Sequence, residues 1–499
     1  MPETLNVDYL VIGAGAMGMA FADTILSDTE KTIVIVDRYS RPSGHWTVAY
    51  PFVRLHQPSV AYGVNSKNLG QNLVDKVGWN KGHYELASRD EIRAYYDSVM
   101  YQTFLPSGRV TYFPKHEYTG GQEFHSILTG KTYQVGKETR IVDSTYMNVQ
   151  VPSMRPPPYE VAEGVEIVAP NNVPNANRPH ANYTIVGGGK TGIDVILYLL
   201  ANDIDPDNIT WVVPRDSLFM NRGNFQPGEQ GENFLAVRAA TFECILAASS
   251  IDDLLKRLVA CGQLLQLDDK VWPTMYHAAI LSVAELEQLR RIKSIIRHGR
   301  IRRITRDEVF LEHGSYTPNS DSLYIDCTAN CIANSPETDI FQDDKIRLQP
   351  VYQFQQVFSS AFIAHVEASY PDNDTKNKFC RVVSFPNATE DLPGSSMFAP
   401  GIPKIMVDFG HTRLYIWGNI LLTIFTVGVA LSQNMAMMVA FRFLMGLAGA
   451  VPITIGSGSI ADIMPVELHG RAMSAWDLGP LLGPRIRPVA GGYLNKGAG

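Results

Sequence analysis

The chain has 499 residues, 45% of them hydrophobic and 19% charged, with a formal net charge of −7. That length gives room for two or three domains with sizeable cores. The mildly acidic balance speaks against nucleic-acid binding, which needs a basic patch or stripe. Cysteines at 244, 261, 327, 331 and 380 are odd in number and scattered, which excludes a disulfide framework and suits a reducing compartment. Cys327 and Cys331 stand four apart with no second Cys or His pair at ligand spacing, so no metal site is expected. The opening "MPETLNVDYLVIG" has no basic start and no apolar run ahead of a cleavage site, so no secretory signal is expected.

The first element is "VDYLVIGAGAMGMAFADTIL": β-formers at 9–12, then Gly13, Gly15 and Gly18, then a helix-compatible stretch. Each glycine has a separate task. The first permits a tight turn, the second lets the backbone approach a pyrophosphate, and the third allows close helix-to-strand packing. The phosphates then face the positive end of a helix. A second strand, "TIVIVD", ends in Asp37, where a carboxylate can accept a ribose 2′-OH. Strand, loop, helix and acid together predict a dinucleotide site.

The pattern returns at "NYTIVGGGKTGIDVILYLLAN", with a strand at 183–186, then Gly187, Gly189 and Gly192. The next strand, "ITWVVPRD", ends in Pro214 and Arg215 rather than an immediate carboxylate. A guanidinium there can pair with a 2′-phosphate, which favours NADPH, while Asp216 leaves NADH open. Further on, "RRIKSIIRHGRIRRITRDE" (290–308) reads as a solvated helix face running into a strand. Residues 348–370 read as a helix with Phe354, Val357, Phe358, Phe362 and Val366 at core spacing.

The first loop's place at the start of the chain resembles the two-dinucleotide-binding flavoproteins, whose first fold holds FAD. "RYSRPSGHW" (38–46) resembles the Gly-Gly-x-Trp stretch of flavin-containing monooxygenases. Gly44 and Trp46 fit, while Ser43 replaces the first glycine. The resemblance implies that this stretch wraps the flavin and that Arg54, His56 and Gln57 pass near its ring, as low-ranking catalytic candidates. "SDSLYIDCTAN" (320–330) is similar to the place where such chains return to the FAD domain, which puts Asp326, Thr328 and Ala329 near that cofactor. One departure matters. The Phe-x-Gly-x-x-x-His fingerprint of the monooxygenases is missing from the linker ahead of the second loop, where His180 is the sole histidine.

Beyond about residue 387 the composition changes. Residues 414–431 carry no charge over 18 positions, and 435–456 hold only Arg442, so both are candidate membrane spans. The blocks "FRFLMGLAGAVPITIGSGSIADIMPVELHGRAMSAW" and "LGPLLGP…PVAGGYL" resemble the third to fifth spans of the fungal drug:proton antiporter branch of the major facilitator superfamily. The second span of that family is missing, and three spans cannot supply the two halves that rock around a transport site. The third candidate span, 472–494, contains Asp477, Arg485 and Arg487. At ~2.5–3.5 kcal/mol for each mid-helix charge, insertion would cost ~8–10 kcal/mol. Arg413 and Arg471 flank the first two spans on one side, consistent with an anchor that leaves an enzyme domain in the cytoplasm.

These readings predict an α/β chain with two Rossmann-like domains and an all-α membrane-like tail. Its parts are a first FAD segment (1–150), an NAD(P)H domain (151–310), an FAD return segment (311–390) and a truncated transporter segment (391–499). The expected activity is NADPH-dependent, FAD-mediated oxidation or monooxygenation of a small organic molecule, with molecular oxygen as a candidate co-substrate. Two alternatives stand beside it: a membrane protein of facilitator ancestry, and a product of two joined genes.

Overall fold

The computed structural model describes residues 3–147, 150–329, 336–352 and 355–392, all within one compact unit, 1–399. Apolar runs that are buried on both faces make parallel strands here, as expected where helices cover a sheet. The run Ile33–Asp37 is buried at every position. Two five-stranded parallel sheets result. In the first, the spatial order is Lys345–Arg347, Arg140–Asp143, Tyr9–Ile12, Ile33–Asp37, Val110–Pro114. In the second it is Ile167–Val168, Ser322–Asp326, Asn182–Val186, Ile209–Val212, Ser294–Ile296.

The two sheets share a logic. Each places its glycine-loop strand in the middle, sends the chain through a helix to a neighbour on one side, and later returns it to the other side. The ends of Tyr9–Ile12 and Asn182–Val186 are therefore the points where strand order reverses, and crevices for ligands open at such points. Helix Ala16–Asp28 follows the first loop and packs against Gln356–Ser369 over the first sheet. Helix Lys190–Ala201 follows the second.

Three placements differ from the sequence expectation. The strand Ser322–Asp326 pairs with Asn182–Val186 in the second sheet, and the chain rejoins the first sheet only at Lys345–Arg347. An apolar five-residue strand fits either sheet, and its pairing is decided by tertiary contact. Around 290–308 the helix is Val283–Leu289 and ends before the arginines; Arg302 and Arg303 sit on the strand Ile301–Ile304 and the others in the connections around it and Ser294–Ile296. Ile301 and Ile304 point inward while Arg302 and Arg303 are exposed. The late helix starts at Gln356, and Phe358 on it is 43% exposed while Val357 and Val366 are buried. Phe354 lies outside the described residues, as do the candidate spans 414–431, 435–456 and 472–494. Among the described residues no helix is long and apolar enough to cross a membrane.

Candidate functional site

At the first loop, Gly13 has φ +100°, and a Cβ there would lie 2.7 Å from Ser144 Oγ. A Cβ on Gly18 would stand 2.1 Å from the Gly13 carbonyl oxygen, so helix and turn meet only through glycine. Gly15 is the N-cap of Ala16–Asp28, with no side-chain cap and no acid in the first turn. The N–H groups at that helix start thus remain directed outward, which suits an anion. Asp37 is buried at the end of its strand. Its two oxygens accept from Ala14 N–H at 2.6 Å and Tyr39 N–H at 2.7 Å. Burial pushes this carboxyl up against the pull of those bonds. Each oxygen keeps a second lone pair for a hydroxyl.

The stretch after Asp37 folds back across the loop. Ser43 N–H donates to the Ala14 carbonyl at 2.8 Å, and a Cβ on Gly44 would stand 2.8 Å from Gly15 Cα. Ser43 is fully buried with φ +111°, a conformation that costs a non-glycine residue about 1–3 kcal/mol. Ser43→Gly is expected to remove that strain and raise the thermal midpoint by about 1–3 °C, read by scanning calorimetry. Trp46 is buried, donates from Nε1 to the Tyr62 hydroxyl at 2.8 Å, and meets that ring edge-on.

At the second loop Gly187 has φ +129°, and its Cβ would lie 2.9 Å from the Cys327 carbonyl oxygen. A Cβ on Gly192 would fall 2.3 Å from the Gly187 oxygen. Gly189, the N-cap of Lys190–Ala201, has nothing within 4 Å of that position and no side-chain cap. The three glycines again divide into turn, open approach and packing. Here the open approach faces a cavity of about 1330 Å³.

That cavity joins the two folds. Its walls include His45, Trp46, Arg54, His56 and Gln57 from the first, and Gly187, Gly189, Lys190 and Arg215 from the second. Gly13, Gly15, Gly18 and Asp37 lie behind the Ser43–Trp46 stretch and do not line it. Gly192 packs beneath the second loop. Asp326 is buried, with Cys327, Thr328 and Ala329 carrying its chain into the cavity wall. One Asp326 oxygen accepts from Thr328 N–H at 3.0 Å, and the other has Arg155 at 3.9 Å. Asp326 therefore lies beside the second glycine loop, opposite Val186, because its strand is in the second sheet.

Arg215 and Asp216 part company. Arg215 lines the cavity and donates to Asn387 Oδ1 at 2.8 Å. Asp216 is buried in a bidentate pair with Arg297, at 2.9 and 3.1 Å. A carboxylate held this way is a poor acceptor for a ribose hydroxyl.

Of the low-ranking candidates, Arg54 donates to the Leu86 carbonyl at 2.9 Å and Gln57 accepts from Gln355 at 2.9 Å. His56 is half-buried and held from both sides. Its Nδ1 accepts from Ile280 N–H at 3.0 Å, and its carbonyl accepts from Arg222 Nε at 3.1 Å. Burial, with Lys190 and Arg222 adding repulsion, pushes His56 down to about 3. His45, His83 and His277 are lowered as well, chiefly by burial. The unfolded chain binds protons more tightly at such sites, so their contribution to stability is complete above pH ~6.5 and is lost as pH falls towards the folded values. We expect the urea midpoint to drop from pH 6.5 to 4, with a shallower slope in His56→Asn.

Two linked sets of side chains escaped the sequence reading. Tyr50 donates to Asp194 at 2.8 Å, and Asp194 also pairs with Lys190 in the first turn after the loop. Arg222, fully buried, pairs with Glu285 at 2.8 Å and reaches Asn80 at 3.1 Å, tying the first fold to the second. Lys190 follows the second loop directly and was within reach of a motif argument. Arg222 and Glu285 carried no such signal.

Over 390 residues the chain is 50% identical to the uncharacterized protein Rv2000 of Mycobacterium tuberculosis, taking in 78% of this chain and 72% of that one. The chain belongs to the Rv2000 family. Residues 394–499 match a different family, the Major Facilitator Superfamily. There the efflux pump radE of Floropilus chiversii is 45% identical over 138 residues, 21% of this chain and 26% of the pump. Since 138 positions occupy only 21% of this chain, the pump has residues inside the match that this Rv2000-family member lacks. Among solved structures, a cyclohexanone monooxygenase from Rhodococcus sp. Phi1 bound to NADP+ aligns over 74% of this chain and 84% of its own, with 13% identity and a TM-score of 0.46.

Proposed function

We propose that the part of the chain up to residue 392 is an FAD-dependent oxidoreductase that takes hydride from NADPH and, with molecular oxygen as the oxidant, oxidises a small organic molecule. One observation carries this reading: two glycine loops, each at the order reversal of its own parallel sheet, with a cavity reaching from the second loop to the His45–Trp46 wall that covers the first. When bound, FAD would supply the hydride acceptor and the means of handing those electrons to oxygen, which is the oxidant for the substrate. The residues for it are Gly13, Gly15, Gly18 and Asp37, closed over by Ser43, Gly44 and Trp46. Gly187, Gly189 and Gly192 would receive the NADPH pyrophosphate, and Arg215 its 2′-phosphate. The engagement of Asp216 by Arg297 favours NADPH over NADH. His56 contributes a neutral ring to the cavity wall, and Arg54 and Gln57 contribute polar groups beside it. On this reading the FAD fold is 3–147 with a return at 345–392, and the nucleotide fold is 151–329.

The test is direct. Purified protein should show flavin absorbance and oxidise NADPH faster than NADH. Arg215→Ala should lower the NADPH preference by about ten- to a hundredfold, the worth of a charge-assisted pair. Colourless protein that neither takes up added FAD nor consumes NADPH overturns the proposal.

A second reading concerns the tail. The facilitator match begins at residue 394, and part of Rv2000 has no counterpart in this chain. An enzyme segment followed directly by a facilitator segment supports a joined product, with the tail as a membrane anchor of transporter ancestry. A transcript crossing 387–397 would support the join, and separate transcripts would end it.

A further inference from the structure

Two cysteines that are 17 positions apart in sequence meet in space. Cys244 lies in the last turn of Glu232–Ala247 and Cys261 caps Ile251–Ala260, with their sulfurs 3.7 Å apart. A disulfide bond is ~2.05 Å long, so closure needs a further approach of less than ~2 Å. Cys261 is exposed and Cys244 partly so, whereas Cys327 and Cys380 are buried. The pair is therefore within reach of a small oxidant, and those buried thiols are shielded from it.

We propose that Cys244 and Cys261 are a redox modification site, forming a reversible disulfide on meeting a peroxide. The balance is simple. The Cys261 sulfur attacks one peroxide oxygen, an S–O bond forms, the O–O bond breaks, and hydroxide leaves to become water. Cys244 then attacks the Cys261 sulfur, the S–S bond forms, the S–O bond breaks, and a second water is released. Two thiols are oxidised by two electrons and one hydrogen peroxide is reduced to two waters. Partial burial, then the neighbouring Cys261, push the Cys244 thiol up to about 11, which leaves the first attack to the more exposed Cys261.

The bond would act on the cavity. Ile245 beside Cys244 packs on a cluster holding Leu218, Leu258 and Tyr276. Leu218 and Tyr276 belong to strands Ser217–Asn221 and Met275–Leu281, which contribute cavity wall. In the thiol form one further tie is the 3.2 Å bond from Gln263 to the Val237 carbonyl. Oxidation would fasten Glu232–Ala247 covalently to the end of Ile251–Ala260, whose Leu254, Leu255 and Leu258 pack on the same cluster as Leu218 and Tyr276 of the wall strands.

Full-length protein treated with millimolar hydrogen peroxide, alkylated and cut with trypsin, which cleaves between the two sulfurs at Lys256 and Arg257, should yield a linked Cys244–Cys261 peptide pair. Dithiothreitol should split it. The thermal midpoint should rise by a few degrees on oxidation and fall back on reduction, and Cys244→Ser should abolish the shift. The proposal is overturned if no linked pair appears, if Cys261 is recovered as sulfinic acid with Cys244 alkylated, or if the serine variant shows the same shift. None of these readouts depends on the enzyme activity.

Discussion

Gly189→Asp is expected to weaken NADPH binding at least about a hundredfold while leaving the protein folded. The argument is electrostatic. Gly189 has extended backbone that any residue adopts, and nothing lies within 4 Å of the position a Cβ would take. Aspartate is also a favoured N-cap, so the helix Lys190–Ala201 should gain slightly. Its carboxylate would occupy the place where the pyrophosphate must approach. A charge about 5 Å from another, at an effective dielectric near 20, contributes roughly 3 kcal/mol of repulsion, or about two decades of affinity. Calorimetric titration of NADPH, beside a urea melt, separates the two effects. Unchanged affinity in a folded variant would remove the second loop from the nucleotide site.

Arg222→Met is expected to destabilise the protein by about 3–5 kcal/mol. The guanidinium is fully buried and holds Glu285, the His56 carbonyl and Asn80 at once. Removing it strands a carboxylate that is itself enclosed, and an uncompensated buried charge costs that much. Glu285 also accepts from Ser282 N–H at 2.8 Å, closing a capping box. Glu285→Gln keeps an acceptor for that bond, so the double variant should recover much of the loss. Urea midpoints for the two single variants and the double variant measure the coupling. Near-additive losses would mean that the pair contributes little beyond packing.

Both predictions rest on contacts of very different visibility. The glycine loops were legible because their chemistry is local: strand, turn and helix start lie within ten residues, and the first and third glycines of each loop do steric tasks that no other residue can do. The same holds for Asp37 at its strand end. The arginine-rich segment was misread because charges spaced among isoleucines suit a helix face and a half-buried strand alike. Asp326 was assigned to the first fold on resemblance, yet its strand pairs in the second.

What the amino-acid order alone determined is the pair of glycine turns, the apolar strands that feed them, and the change of character near residue 390. Tertiary structure decided which sheet received Ser322–Asp326, that Asp216 is taken by Arg297 while Arg215 faces the cavity, and that Arg222 joins His56 to Glu285. The physical reason is range. A turn is selected by the backbone freedom of neighbouring residues, whereas a buried ion pair or a strand partner is chosen only when distant segments compete for the same desolvated space.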